Sequence, residues 1–154
     1  MSMKMTKVLF VCLGNACRSP MAEAIARHDA KDVIEASSAG LTPLGRLETM
    51  TKQTLARNGY SAEGLESKRV VPEALENADI VVNMSGYAGE AAFDDHAKVE
   101  DWRVEDPYGA DAELYQRIFE DIRGRIAELA ERLRKGAHNT KRGANIKGKG
   151  SARD

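Results

Sequence analysis

An apolar run, Val8-Leu9-Phe10-Val11, passes directly into Cys12-Leu13-Gly14-Asn15-Ala16-Cys17-Arg18, and Ser19-Pro20 then leads into Met21-Ala22-Glu23-Ala24-Ile25-Ala26. This reads as a strand, a tight loop and a helix start. A loop that short curls so that its backbone N–H groups face one centre, where the helix N-terminus also directs its positive end. A tetrahedral oxyanion fits such a centre. The planar fork of Arg18 grips two oxygens at once, which lysine cannot do. Gly14 permits close backbone approach, and Asn15 tolerates a left-handed turn while its amide ties the loop down. Ser19 either caps the helix through its hydroxyl or donates that hydroxyl to the Cys12 sulfur. In these surroundings Cys12 is expected to ionise more easily than a free thiol of pKa about 8.5, as a nucleophile beneath a bound anion.

The remaining elements repeat the strand–helix alternation. Asp32-Val33-Ile34-Glu35-Ala36-Ser37-Ser38-Ala39-Gly40 reads as a second strand ending in small residues, and Leu47 to Asn58 as a helix with Gly59 in the left-handed position after it. Pro72 to Ala78 forms a short helix, Asp79 to Met84 a third buried strand, and Lys98 to Trp102 a short fourth one. Leu114, Ile118, Ile122, Ile126, Leu129 and Leu133 mark one face of a final helix. The pattern predicts an α/β three-layer sandwich: a four-stranded parallel sheet with helices on both faces and ligands at the carboxyl ends of the strands.

With 154 residues, 42% of them hydrophobic, the chain suits one domain with a sizeable core. Its two cysteines stand five positions apart and make no disulfide framework, and no secretory signal or membrane-length apolar stretch is visible. A soluble cytoplasmic protein with reduced thiols is expected. The net charge of −1 hides an asymmetry: Lys135, Lys141, Arg142, Lys147, Lys149 and Arg153 face Asp154 alone, so this end carries +5 and the rest −6. An acidic body argues against a nucleic-acid partner. Residues 1–135 are read as the catalytic domain and 136–154 as a flexible basic tail, too polar to repay ordering.

Transfer of a phosphoryl group to a thiolate also needs an acid for the leaving oxygen. Glu105-Asp106-Pro107-Tyr108-Gly109 is the best source, because the proline restricts Asp106 to an extended conformation. Crowding by Glu105 and partial burial beside Tyr108 are expected to favour the protonated acid. Asp94, Asp95, Asp101 and Asp111 lack the proline restraint. Zinc binding is not expected, since His28, His96 and His138 are scattered, and neither is ATP or dinucleotide binding, since GxxxxGK[ST] and GxGxxG do not occur.

Val11 to Pro20, reading VCLGNACRSP, resembles the active-site signature of the low-molecular-weight protein tyrosine phosphatases. Ser38-Ala39-Gly40 resembles that family's segment after the second strand and Asp106-Pro107-Tyr108 its acid loop, so the similarity spans about residues 6 to 134. The resemblance implies a flavodoxin-like domain without metal or cofactor. In it Cys12 becomes phosphorylated, Arg18 binds phosphate, and Asp106 serves as acid and then base. Leu13, Gly14, Asn15, Ala16, Cys17 and Ser19 surround the phosphate of a phosphorylated protein or small phosphomonoester, with no nucleic acid or membrane partner. Where the family's phosphatases often carry an aromatic wall residue, Leu41-Thr42-Pro43-Leu44-Gly45 offers an aliphatic one through Leu44, and Gly109 leaves Tyr108 as the stacking partner for a phosphotyrosine ring. Glu100, Asp101, Glu105, Asp111 and Glu113 are expected to rim the mouth with negative charge and disfavour acidic phosphopeptides.

Two alternatives stay open. Val99 to Pro107 resembles the corresponding segment of the arsenate reductases that share this fold and loop, yet Asn83-Met84-Ser85-Gly86-Tyr87 lacks the distal cysteine pair of their thioredoxin-coupled branch. Reduction then requires an external thiol or an unusual use of Cys17, which is otherwise a core thiol or a redox guard for Cys12. The second alternative is a non-catalytic phosphate-binding module.

Overall fold

The computed structural model describes residues 5–94 and 96–138. Strand β1 (Thr6–Cys12) is followed by helix α1 (Arg18–Asp29), β2 (Ile34–Gly40), α2 (Thr49–Arg57), α3 (Pro72–Asn77), β3 (Ile80–Asn83), α4 (Gly89–Ala92), β4 (Val99–Asp101) and α5 (Ala112–His138). The strands form one parallel sheet in the order β2-β1-β3-β4, with Cys12 opposite Gly40 and Val11 opposite Asn83. The expected parallel three-layer sandwich is therefore the fold.

Strand alternation divides the core. Val8, Phe10 and Cys12 face the side covered by α1, α2 and α5, where they pack with Met21, Ile25, Leu55, Phe119 and Ile122. Leu9 and Val11 face the other side and meet Val81, Ala39 and Phe93, with Ala74, Leu75 and Ala92 of α3 and α4 over them. A strand buried on both faces has no polar position to alternate with, which is why β1 reads as a continuous apolar run. Cys12 ends this run, so the nucleophile candidate leaves the sheet from an inner strand buried on both faces.

Helix α2 stops where Gly59 adopts a φ of 84°, its N–H donating to the Ala56 carbonyl. Helix α5 buries Tyr115, Ile118, Phe119, Ile122, Ile126 and Leu129 along one stripe. Arg134 ties its far end to Asp32 through bonds of 2.8 and 2.9 Å, and this ion pair lowers the Asp32 pKa below the usual carboxylate range. The helix continues through Gly136 to His138, so the expected tail does not begin at residue 136; its remainder, 139–154, lies outside the described residues. One interior glycine costs only about 1 kcal/mol against alanine, too little to end a helix anchored one turn earlier. Helix α4 was not expected, because four residues of alanine, glycine and glutamate carry no readable period. No helix among the described residues is long and apolar enough to cross a membrane.

Candidate active site

The loop from Cys12 to Arg18 is held from outside by its carbonyls. The N–H groups of Leu41, Thr42 and Leu44 donate to the carbonyls of Cys12, Leu13 and Gly14 at 3.1, 2.8 and 3.0 Å, and Glu48 N–H donates to the Ala16 carbonyl at 3.2 Å. The hydroxyls of Ser67 and Thr51 reinforce Gly14 and Ala16 at 3.0 and 2.7 Å. In a trans peptide the N–H points opposite to the C=O of the same unit. Carbonyls committed outward therefore turn the amides of Leu13, Gly14, Asn15 and Cys17 to the other side, and the amides of Gly14 to Cys17 donate to no group among the described residues. The result is the N–H cradle that the sequence suggests.

Asn15 makes the turn, with a φ of 49°. Its side chain is buried, with Nδ2 donating to Ser19 Oγ (2.8 Å) and Ser38 Oγ (3.1 Å) and Oδ1 accepting from Lys68 N–H (2.8 Å). Ser38 in turn donates to Glu23 Oε1 at 2.6 Å, and Glu23 is paired with Arg27. These bonds set a direction. Ser38 gives its proton to a carboxylate and so accepts from Asn15. Ser19 also accepts from Asn15, which frees its own proton for the Cys12 sulfur at 3.0 Å or the Ala39 carbonyl at 3.4 Å. The Ser19 N–H reaches the same sulfur at 3.5 Å. Of the two roles expected for Ser19, the thiol contact is present; the cap is not, since α1 has Cys17 at its N-cap and no side-chain cap bond.

Arg18 is buried in the first turn of α1. Its Nη1 donates to the Val104 carbonyl at 3.1 Å, Nη2 lies 3.5 Å from Asp106 Oδ2, and Nε is buried with no partner among the described residues. Leaving a buried donor unpaired costs roughly 1–3 kcal/mol, so an unpartnered Nε in this position is suited to a ligand oxygen. A pocket of about 250 Å³ opens here, lined by Cys12, Leu13, Gly14, Ala16, Cys17, Arg18, Thr42, Leu44, Asp106 and Tyr108. Leu44 and Tyr108, both exposed, line this pocket. Asn15 and Ser19, expected among the substrate-binding residues, lie beneath the pocket with no exposed surface, so their side chains brace the loop.

Two expectations are corrected by the geometry. The Asp106 side chain is 48% exposed and faces Arg18, so it lacks the burial anticipated for it. The acidic rim is not formed, because none of its five members lines the pocket. Glu100 is engaged by Trp102 Nε1 and Arg132, Asp101 by Asn83 and the Gly89 N–H, and Asp111 by the Leu114 N–H at the start of α5. The rival carboxylates Asp94, Asp101 and Asp111 are likewise absent from the pocket lining, while Asp95 lies outside the described residues. No group of three potential metal ligands occurs among the described residues. Val104, Thr51, Ser67 and Tyr115 were not anticipated at the site, since each reaches it across a long sequence separation and has no local signature.

Cys17 and Cys12 are both free thiols. Cys17 Sγ lies 3.2 Å from the hydroxyl of the buried Tyr115. Burial raises the Cys17 pKa against the opposing bonds from Tyr115 and Thr51, and burial first, then the Cys17 contact, raises that of Tyr115. Both groups thus hold protons in the native state that the unfolded chain releases more readily. Their contribution to stability is complete below the ordinary thiol range, about pH 8.5, and is lost as pH climbs toward the raised native values. Tm is accordingly expected to fall between pH 8 and 11. A Cys17→Ala, Tyr115→Phe double variant should show a flatter profile by calorimetry, whereas an unchanged slope would assign the loss to other groups.

The comparisons with known proteins agree with this geometry. Residues 7–139 match the model of the family described as low molecular weight phosphotyrosine protein phosphatase. An arsenate reductase from Shouchella clausii is 32% identical over 132 residues, covering 80% of this chain and 94% of that protein. The crystal structure of a low molecular weight protein tyrosine phosphatase from T. tengcongensis superposes with a TM-score of 0.76 at 32% identity, covering 83% of this chain and 99% of that one. The YwlE arginine phosphatase from Geobacillus stearothermophilus gives a TM-score of 0.77 at 26% identity, covering 87% and 97%. A cysteine at the end of a central strand, an arginine opening the next helix and a match across nearly the whole described fold have one common explanation: the chain belongs to the low molecular weight phosphotyrosine protein phosphatase family.

Proposed function

We propose that this protein is a phosphomonoester hydrolase of the protein tyrosine phosphatase type, working through a cysteinyl-phosphate intermediate. The observation that carries the reading is the buried, unpartnered Arg18 Nε beside the inward-facing loop amides, in the pocket that Cys12 and Asp106 also line. The amides of Leu13, Gly14, Asn15 and Cys17, together with Nε and Nη2 of Arg18, bind the equatorial oxygens of the phosphate. The Cys12 sulfur attacks phosphorus as the bond to the leaving oxygen breaks, and Asp106 passes its proton to that oxygen. Water then attacks phosphorus as the S–P bond breaks, Asp106 takes a proton from that water, and the sulfur departs as a thiolate that accepts a hydrogen bond from the Ser19 hydroxyl. Leu44 and Tyr108 contact the leaving group in the pocket they line.

Arsenate reduction is the second reading, favoured by the relative named for that activity at 32% identity. The same cradle accepts arsenate, which has the shape and charge of phosphate. Cys12 and Cys17 are the only cysteines of the chain, so the electrons come from the loop pair or from an external thiol. One paired assay separates the readings: phosphate release from an aryl phosphate, and arsenite production from arsenate with glutathione, glutaredoxin or thioredoxin supplied in turn. Rapid phosphate release with a transient phosphate adduct on Cys12 in the mass spectrum is expected. Arsenite production without phosphate release would overturn the first reading in favour of the second.

A further inference from the structure

A second cavity, about 500 Å³, opens beside the acid segment and is lined by Asn83, Tyr87, Asp101, Trp102, Arg103 and Glu105, among others. Val104 also lines it, and the carbonyl of Val104 receives Arg18 Nη1, so consecutive residues of one segment border the two cavities: Val104 and Glu105 the second, Asp106 the catalytic one. The loop at its edge is tightly built. Buried Asn83 donates to the Tyr87 carbonyl at 2.6 Å and to Asp101 Oδ1 at 2.8 Å, and accepts from the Ser85 N–H and hydroxyl at 3.1 and 2.7 Å. Ser85 Oγ accepts from the Tyr87 N–H at 3.2 Å. These bonds fix the Tyr87 backbone at the edge of the cavity that the residue lines, and the residue is 59% exposed. At this edge the exposed tyrosine supplies a large amphipathic surface.

The charges on the same wall specify what the surface receives. Asp101 and Glu105 bring two carboxylates to the cavity and Arg103 one guanidinium. The Glu105 carboxylate has no hydrogen-bond or ion-pair partner among the described residues. Arg103 and Glu105 alternate with buried Trp102 and Val104, so both lie on the outward face of this extended segment. An aromatic face beside unpaired carboxylate complements a cationic side chain.

We propose that this cavity is a substrate subsite that receives an arginine or lysine side chain flanking the phosphorylated residue of a protein substrate. The inference rests on the phosphatase reading and adds the substrate class: phosphoproteins with a basic residue near the phosphate. A cation against Tyr87 and an exposed pair with Glu105 together correspond to roughly a three- to tenfold preference.

The test uses the full chain and a pair of tyrosine phosphopeptides that differ only in arginine or glutamine beside the phosphotyrosine. KM is expected to be about three- to tenfold lower for the arginine peptide. Glu105→Gln and Tyr87→Ala should remove the preference, and Arg103→Gln should increase it. Tyr87→Ala and Arg103→Gln should leave the constants for a small aryl phosphate unchanged, since that substrate does not reach the second cavity. Trp102, the only tryptophan of the chain, lines the cavity and gives a readout independent of turnover: its fluorescence in a Cys12→Ser variant should respond to the arginine peptide at lower concentration than to the glutamine one. Equal KM and equal fluorescence titrations for the two peptides would overturn the subsite. So would an Arg103→Gln effect of the same sign as Glu105→Gln. Failure to hydrolyse the aryl phosphate would instead remove the phosphatase reading, with the fluorescence arm still deciding the subsite.

Discussion

Replacing Cys12 by serine is expected to lower turnover of an aryl phosphate by at least about 10⁴-fold, the scale on which loss of a covalent nucleophile acts, while the variant folds and still binds inorganic phosphate. A serine hydroxyl becomes a nucleophile when a neighbouring base takes its proton, and no histidine lines this pocket. The substitution leaves the outward carbonyl bonds of the loop and the Arg18 guanidinium in place, so the anion cradle persists without its nucleophile. Phosphate should therefore raise the Tm of Cys12→Ser much as it does that of the parent, by mass action on the native state. Residual hydrolysis above background would identify another nucleophile. Loss of the phosphate-induced shift would mean that the sulfur, rather than the amides and Arg18, dominates anion binding.

The second large effect is expected at Gly40, which touches no substrate. A Cβ there would stand 2.8 Å from the Asn15 Cβ, 2.8 Å from the Leu13 carbonyl oxygen and 2.9 Å from the Asn15 amide nitrogen. Two of these are backbone atoms of the cradle, so the conflict is relieved only by moving the loop. Gly40→Ala should cost about 1–3 kcal/mol, a drop of roughly 2–12 °C in Tm for a chain of this size, and should impair phosphate binding and turnover together. Gly124, on the exposed face of α5 with open space around it, is the control. Gly124→Ala should stabilise by about 0.5–1 kcal/mol through helix propensity. Two identical substitutions with opposite signs would locate the constraint in the contact between Gly40 and the loop. Equal, small shifts would show that the loop accommodates the added methyl.

What could be read from the sequence was what neighbouring residues decide together. The apolar stretch of β1, the left-handed Asn15 and the helix opening at Arg18 are all local, and each forms as the residue types suggest. Asp106 was legible through Pro107, yet its surroundings were not. Its partner is Arg18, 88 positions earlier, and the acidic residues near it in sequence are turned toward Arg132, Asn83 and the start of α5. Proximity along an extended segment says little about which side chains share a rim, because alternate residues face opposite ways. The bracing of the loop was hidden for the same reason. Ser67 and Lys68 reach it from 53 positions away, and Tyr115 from 98. Only the packing of α2, α5 and the segment before α3 onto α1 brings them there.

The stretch that seats the cradle does so through the main-chain N–H groups of Leu41, Thr42, Leu44 and Glu48. Pro43, which has no N–H to give, occupies the interval between two of these donors. The floor of the pocket is thereby decoupled from its lip. Side chains at positions 42 and 44 can be exchanged to admit a different leaving group without unseating the chemistry below, and a second proline at either position is the one replacement this arrangement forbids.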